Sequence, residues 1–323
     1  MDLLPTPEQD EIVTSIRAVL AGHHTIGEPL ANSLWIAAVE QGWFTLGIDE
    51  SQGGVGYSIV EEVLLYRELG RAVAPGPFLS TTLAAHVAAA TGTGKLLGRI
   101  ASGELRVALA ERHTADAFHV LDLPGAGAVL LVDDDSVAIL PADAFASAEV
   151  VPGLDTLVPV AIGAPSAVTP LASLAERSAF DLTATLLSAA LLTGIAEAVT
   201  EQSVAYAKDR QQFGQPIGGF QAVKHRCADM ATRAEVAGGQ LVYAALAVRD
   251  GRADAAFHTH AARVVAARGA IDNAQINIQN HGGIGFTWEH TAHRFLTKAR
   301  VVANCCGTTP SHQAALLAEP APA

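Results

Sequence analysis

The segment Asp209–Ile217 places an arginine next to a turn rich in glycine and proline, a combination that suits anion binding. Arg210 lies where a predicted helix ends, and its guanidinium offers a planar fork of donors that matches a pyrophosphate. A simpler role is also open, because the helix dipole favours a cation at a helix C-terminus. The local sequence alone favours the simpler role.

The segment Gly219–Met230 continues from this turn into a second predicted helix. Its apolar residues recur at helical spacing and predict a buried face: Phe220, Val223, Cys227 and Met230. Gln221 and Lys224 fall on another face, beside the Arg210 turn. They are either ordinary surface residues or part of the same ligand-binding surface.

A third segment, residues 279–290, contains Gly282, Gly283 and Gly285 after a long predicted helix. Glycines let a backbone approach a ligand closely, although they also form tight turns between helices. The histidines nearby are too irregularly spaced to predict a metal site, and no cysteine and histidine set has zinc spacing.

The bulk composition limits the class of protein. The chain has 323 residues and a net charge of −13, which argues against nucleic acid as a partner. Three cysteines with an adjacent pair do not form a disulfide framework and predict reduced thiols in a cytoplasmic protein. The N-terminus lacks the pattern of a signal peptide. The apolar stretch 182–196 is too short to span a membrane and predicts a buried helix.

Periodicity and turn residues predict three regions. Residues 1–100 form an N-terminal helical domain, in which Pro7 starts a helix and further helices follow near 59–69 and 79–90. Residues 101–170 form a small β domain of four to six strands, including a hairpin at 129–140. Residues 171–323 form a bundle of four long helices, predicted at 172–208, 218–249, 253–280 and 289–317.

Three stretches resemble, in order, the signatures of the acyl-CoA dehydrogenase family: residues 53–75, 209–230 and 279–300. The resemblance implies an N-terminal helical domain, a middle β domain and a C-terminal four-helix bundle. It also implies non-covalently bound FAD. Family members abstract an α-proton from an acyl-CoA with a glutamate, and the β-hydride passes to the flavin to give a 2-enoyl-CoA.

The resemblance also assigns residues to FAD. Arg210 and Gln221 would contact its pyrophosphate and adenosine portion. Further residues along the same surface would be Gln212 and Phe213, with the backbone of Gln279, Asn280, His281, Gly282 and Gly283 against the ADP portion. In the family these elements generally reach the flavin of a neighbouring subunit.

The chain departs from the family at the catalytic base. Cys306 and Ala184 occupy the two positions where the family carries its glutamate, so no catalytic residue is assigned. Asp181 lies one helical turn earlier and is either an unusual base or an ordinary acid at a helix N-terminus. Residues 112–116 replace the expected stretch of the flavin-contacting strand, and the β domain is short.

The retained residues are those that reach a neighbour, and the lost ones serve a subunit's own site. This predicts a subunit of an α2β2 acyl-CoA dehydrogenase whose base lies on a homologous partner, like the heterotetramers of actinobacterial steroid catabolism. An electron acceptor such as electron-transfer flavoprotein is implied. The alternatives are a self-sufficient homo-oligomer with a non-standard base and a non-catalytic binding subunit.

Overall fold

The computed structural model of the chain describes residues 3–320 and residue 322. Helices lie at both ends of the chain and a β-sheet lies between them, which confirms the predicted fold class. α1 begins at Pro7 as predicted, because proline fits the first helical turn and Glu8 and Asp10 lie near the positive end of the dipole. The N-terminal helices are α1 (Pro7–His23), α2 (Asn32–Glu40), α3 (Ile59–Arg71), α4 (Phe78–Ala90) and α5 (Gly94–Ala101).

The sheet has seven strands in the order β5-β6-β2-β1-β3-β4-β7, with β1 and β3 parallel and the other neighbouring pairs antiparallel. The predicted hairpin is confirmed, since Val132 pairs with Val137 across β3 and β4. Seven strands exceed the predicted four to six because the last three are too short to show alternation. The strands are β1 (Val107–Thr114), β2 (Ala117–Leu121), β3 (Ala128–Val132), β4 (Val137–Pro141), β5 (Glu149–Val151), β6 (Val160–Gly163) and β7 (Ala172–Ser173).

The C-terminal region contains three long helices and two shorter ones. The prediction of one helix over 289–317 is wrong, because Cys306 and Gly307 have φ angles of +56° and +96° and interrupt it. A left-handed conformation cannot continue a right-handed helix. The elements are α6 (Ser178–Asp209), β8 (Gln211–Gln212), β9 (Gln215–Pro216), α7 (Gln221–Arg249), α8 (Ala255–His281), α9 (Ala292–Val302) and α10 (Thr309–Ala318).

Helix α6 is long and apolar enough to cross a membrane by composition alone, yet 83% of its most apolar 18-residue window is buried inside the protein. The prediction that 182–196 is a buried helix is therefore confirmed. Its side chains form the centre of the C-terminal core, where burial of each leucine or isoleucine contributes about 1.5–3 kcal/mol. The most completely buried are Leu186, Leu187, Leu192, Ile195 and Val199.

The internal contacts divide the chain into two compact units. The first comprises the chain up to Arg17, Val63–Ala74 and the chain from Thr185 onward. The second comprises Ala18–Glu62 and Pro75–Ala184, and it contains the β-sheet. Three helices, α1, α3 and α6, contribute residues to both units. The predicted domain borders at residues 100 and 170 stay predictions.

Within the first unit, α3 and α6 cross at two glycines. A side-chain carbon added to Gly194 would lie 1.9 Å from the carbonyl oxygen of Arg67, and one added to Gly70 would lie 2.1 Å from that of Leu191. Beside the crossing, Arg67 pairs with Glu197 through two contacts of 2.8 Å, Nε to Oε2 and Nη2 to Oε1. Part of α3 therefore belongs to the C-terminal helical unit, although it lies early in the sequence.

The second unit encloses a charged pair between α3 and α4. The Glu62 side chain is fully buried, and its Oε1 and Oε2 lie 3.0 and 2.9 Å from Nε2 of His86. The Gly47 amide donates to Glu62 Oε1 at 3.0 Å. Burial opposes the charge on His86, but attraction and hydrogen bonding to Glu62 outweigh it and raise the His86 pKa above its ordinary 6.5.

This pair makes stability fall at alkaline pH. A raised folded-state pKa contributes stability that is complete below the unfolded value and is lost as the pH rises through the folded value. We expect the urea unfolding free energy of the protein to decrease as the pH rises above 6.5. Glu62→Gln should flatten this dependence, whereas Glu104→Gln, which alters an exposed ion pair with Arg99, should keep it. An equal pH dependence of the unfolding free energy in Glu62→Gln and Glu104→Gln would contradict the assignment of this dependence to the Glu62–His86 pair.

Candidate functional site

Arg210 directly follows α6 and opens a tight hairpin. Its amide donates to the carbonyl of Tyr206 at 2.9 Å, and its carbonyl accepts from Ile217 at 2.8 Å. β8 and β9 pair across a turn at Phe213 and Gly214, which have φ angles of +53° and +80°. The hairpin holds the main chain of Arg210 while its side chain remains exposed.

Four exposed cations lie at this hairpin or within ten residues of it in the sequence, and we call Lys208, Arg210, Lys224 and Arg226 the cationic edge. All four are exposed, and within the described part of the chain none of them forms an ion pair. Most other arginines of the protein do form ion pairs, such as Arg67 with Glu197. Exposed cations without an ion pair, on a chain of net charge −13, are available to bind an anionic ligand.

The glycine-rich turn follows α8. Gly282 has a φ of +64°, and a side-chain carbon added to Gly282 or Gly283 would meet no atom within 4 Å. Gly285 differs, because a carbon there would lie 2.6 Å from the carbonyl oxygen of Ile278. Gly285 is thus required for packing, whereas Gly282 and Gly283 present open backbone that a ligand can approach.

Side chains at the ends of α6, α7 and α8 bring the two turns together. The His281 and Tyr206 rings stack with centroids 4.2 Å apart. Asn280 Nδ2 donates to Ser203 Oγ at 3.4 Å and lies 3.9 Å from Cys227 Sγ. The cationic edge and the open glycines therefore lie at the same end of the helical bundle.

The predicted ligand residues differ in exposure. Gln212, Phe213, Gln221 and Gln279 are exposed, but Asn280 and His281 are buried. His281 Nδ1 donates to the carbonyl of Asn277 at 2.8 Å, so this ring bonds within the bundle. A ligand role for position 281 is therefore limited to its backbone, as the resemblance implied. Asn280 Oδ1 is buried and accepts no hydrogen bond within the described residues.

Sequence reasoning assigned no role to two exposed aromatic residues near the glycines. Phe286 and Trp288 are each 72% exposed, and Phe213 on the neighbouring hairpin is 92% exposed. The Arg294 guanidinium lies 4.9 Å from the Trp288 ring centroid. Aromatic residues in a glycine-rich turn between helices cannot be buried as part of a helix face. This feature was visible in the sequence. Exposed apolar clusters are typical of interaction surfaces.

Neither Ala184 nor Asp181 offers a carboxylate that is free of an ion pair. Ala184 is buried and cannot titrate. Asp181 Oδ1 and Oδ2 accept from Arg177 Nη2 and Nε at 2.9 and 2.8 Å. This i, i+4 pair at the start of α6 is visible in the sequence and supports the ordinary role for Asp181. Among the described residues, no group of three or more metal-ligating side chains is placed to hold a metal ion.

Strand β1 also lacks the expected flavin-contacting sequence. Arg112 forms a bidentate ion pair with Asp133, and its guanidinium lies 4.7 Å from the Phe118 ring centroid. Its Nη1 donates to the carbonyl of Ala115 at 2.7 Å. These contacts fix the end of β1 to its own sheet, so the substitution at 112–116 has an internal structural role.

The chain is similar to known proteins along most of its length. Family models for the N-terminal and C-terminal domains of acyl-CoA dehydrogenases match residues 6–104 and 177–319. The acyl-CoA dehydrogenase FadE34 of Mycobacterium tuberculosis is 38% identical over 284 residues, which are 82% of this chain and 39% of that protein. IpdE2 of the same organism, also an acyl-CoA dehydrogenase, is 35% identical over 300 residues, which are 90% and 89% of the two chains.

One solved structure with the same fold is the ChsE4–ChsE5 complex of Mycobacterium tuberculosis. It aligns with a TM-score of 0.83 and 21% identity over 99% of this chain and 100% of that chain. The chain thus spans less than half of FadE34 and almost all of IpdE2.

Proposed function

The chain belongs to the acyl-CoA dehydrogenase family, and we propose that it acts as an FAD-dependent subunit of a heteromeric enzyme. In this proposal the assembly converts an acyl-CoA thioester to a 2-enoyl-CoA, and a homologous partner chain supplies the catalytic base. The observation that carries the proposal is the cationic edge, which stays unpaired and exposed in a chain with no glutamate at either family base position.

The residues at this end of the bundle fit FAD. Arg210 presents an unpaired guanidinium of the kind that binds a pyrophosphate by two parallel hydrogen bonds. Gln221 offers an exposed amide, and Gly282 and Gly283 offer open backbone for the ADP portion. The exposed Phe213 ring supplies a flat apolar surface. Bound FAD would accept the hydride from the substrate.

Three features support a partner chain. The exposed Phe213, Phe286 and Trp288 suit burial against another protein. The matched stretch accounts for only 39% of FadE34, so that relative has room for a second domain of this size. The ChsE4–ChsE5 structure is a complex, and a chain in it has the same fold as this chain. An α2β2 assembly with the cationic edge directed to FAD held by the partner accounts for all three.

The proposed substrate class and cellular setting rest on the family resemblance. We propose a bulky acyl-CoA, such as one derived from a steroid side chain, and an acceptor such as electron-transfer flavoprotein, in the cytoplasm. A self-sufficient homo-oligomer would need a base of its own, and the Arg177 pair occupies both oxygens of Asp181. A non-catalytic subunit would leave the unpaired Arg210 without a purpose.

Co-expression tests the proposal. The chain is purified alone and together with a base-bearing homologue encoded beside its gene, and the flavin content and acyl-CoA oxidation with an artificial electron acceptor are measured. We expect little FAD and no turnover for the chain alone, and about one FAD for every two chains with turnover in a symmetric assembly. Stoichiometric FAD and ordinary turnover in the chain alone would contradict it.

A further inference from the structure

We propose that the turn at Cys305 and Cys306 is a thiol–disulfide exchange site, in which the two adjacent thiols are oxidised to a disulfide by a low-molecular-weight disulfide. The turn connects α9 to α10, at residues 303–308. Adjacent side chains diverge by about 100° on a helix and point to opposite faces of a strand. Here Cys306 has a φ of +56°, so the chain adopts neither geometry.

A buried cation holds the turn in this shape. The Arg263 side chain is fully buried, and its Nη2 donates to the carbonyls of Val302, Cys305 and Gly307 at 3.0, 3.2 and 3.3 Å. Its Nε donates to Ser188 Oγ at 3.1 Å. The main chain on both sides of the two cysteines is therefore fixed before any reaction.

His312 holds the turn from the other side. Its Nε2 donates to the Cys306 carbonyl at 2.9 Å, and its Nδ1 lies 3.1 Å from Nδ1 of His260. Burial, followed by the charges of Arg263 and His260, lowers the His312 pKa to about 4. A neutral His312 with its proton on Nε2 must accept from His260, so this hydrogen-bond chain persists at neutral pH.

The two thiols differ in a way that suits sequential reaction. Cys305 is 6% exposed, and its thiol donates to the Val301 carbonyl at 3.2 Å. Cys306 is only half-buried and is the more accessible of the two. The thiolate is the reactive form, and Cys306 lies just before the N-terminus of α10. Cys306 therefore attacks first and Cys305 resolves.

The reaction balances with one disulfide, RSSR, as oxidant. The Cys306 thiolate attacks one sulfur, the S–S bond breaks, and RS⁻ leaves with the electron pair. Cys305 then loses its proton to water and attacks Cys306 Sγ, which releases the second RS⁻. Two protein thiols are oxidised and RSSR is reduced to two RSH. Adjacent Cα atoms lie about 3.8 Å apart, below the usual disulfide range, so the product is readily reduced again.

Peptide mapping tests the proposal on the full-length chain. Cleavage after Arg300 gives residues 301–323, which contain Cys305 and Cys306 and no other cysteine, whereas Cys227 lies in residues 227–233. The protein is incubated with oxidised glutathione, blocked with iodoacetamide and digested. We expect peptide 301–323 to be lighter by two hydrogens and unalkylated, and to return to the dithiol form on reduction.

Variants assign the two steps. Cys305→Ser should stop at a mixed disulfide with one glutathione, Cys306→Ser should stay reduced, and Cys227→Ser should behave as the parent protein. At pH 7, Cys306 should react with iodoacetamide at least about tenfold faster than Cys227, because burial raises the pKa of the Cys227 thiol. Two alkylated cysteines after oxidation, a disulfide between two chains, or unchanged oxidation in Cys306→Ser would each overturn the proposal.

Discussion

Replacing Arg210 with alanine should lower the affinity of the assembled enzyme for FAD by about 10–100-fold, because a hydrogen-bonded charged group contributes about 1.5–3 kcal/mol. The change removes the one guanidinium of the hairpin and leaves the fold intact, since the Arg210 side chain is exposed and the hairpin is held by backbone bonds. The affinity is measured by titrating FAD into the flavin-depleted assembly. The FAD affinity of Arg210→Lys should lie between those of the parent protein and Arg210→Ala, because lysine keeps the charge but loses the planar fork of donors.

A matched control separates this local effect from the loss of one positive charge. Arg268 lies on α8 with its side chain 82% exposed and only a long contact of 3.6 Å to Asp272. Arg268→Ala changes the net charge equally and should leave the FAD affinity within about twofold, because exposed pairs contribute little. An equal loss in both variants would show that Arg210 acts only through overall charge and would remove it from the proposed FAD contact.

Replacing Gly194 with alanine should destabilise the protein by about 3 kcal/mol or more. The added methyl carbon would lie 1.9 Å from the Arg67 carbonyl oxygen, and a helix backbone cannot move aside as a flexible side chain can. Separation of α3 from α6 would also stretch the Arg67–Glu197 ion pair. The measurement is the unfolding free energy from urea denaturation, with helical circular dichroism as the signal.

Gly239 provides the opposite control. It lies in the interior of α7, where a side-chain carbon would meet nothing within 4 Å. Gly239→Ala should therefore stabilise the protein by about 0.5–1 kcal/mol, because alanine has the higher helix propensity. Destabilisation by both alanine substitutions would mean that helix crossing at Gly194 is not the cause.

Local patterns in the sequence were sufficient for the main elements. Pro7 and the acids after it specify the start of α1, and the apolar runs on both sides of the acidic turn at 133–136 specify β3 and β4. The short strands β5 and β7 and the break at Cys306 were not predictable. Two or three residues give no period, and the φ of Cys306 depends on contacts with residues distant in sequence.

The candidate site was predictable in its chemistry and less so in its geometry. An arginine at a helix end and open glycines are visible as residue types, so Arg210 and Gly282 could be singled out. The burial of His281 against Tyr206 could not be predicted from the sequence, because this pairing depends on how α6 and α8 pack together. The same reason applies to Arg263, whose carbonyl partners lie about forty residues further along the chain.

The ribosome synthesises α3 well before α6, the helix against which α3 packs. Arg67 and Glu197 are separated by 130 positions. At roughly 5–20 residues per second, a ribosome needs on the order of 10 s to deliver the second after the first. During that time the glycine face of α3 has no helix to pack against, and the segment before residue 74 stays incomplete. A fragment that ends before α6 should therefore leave the glycine face of α3 without its packing partner.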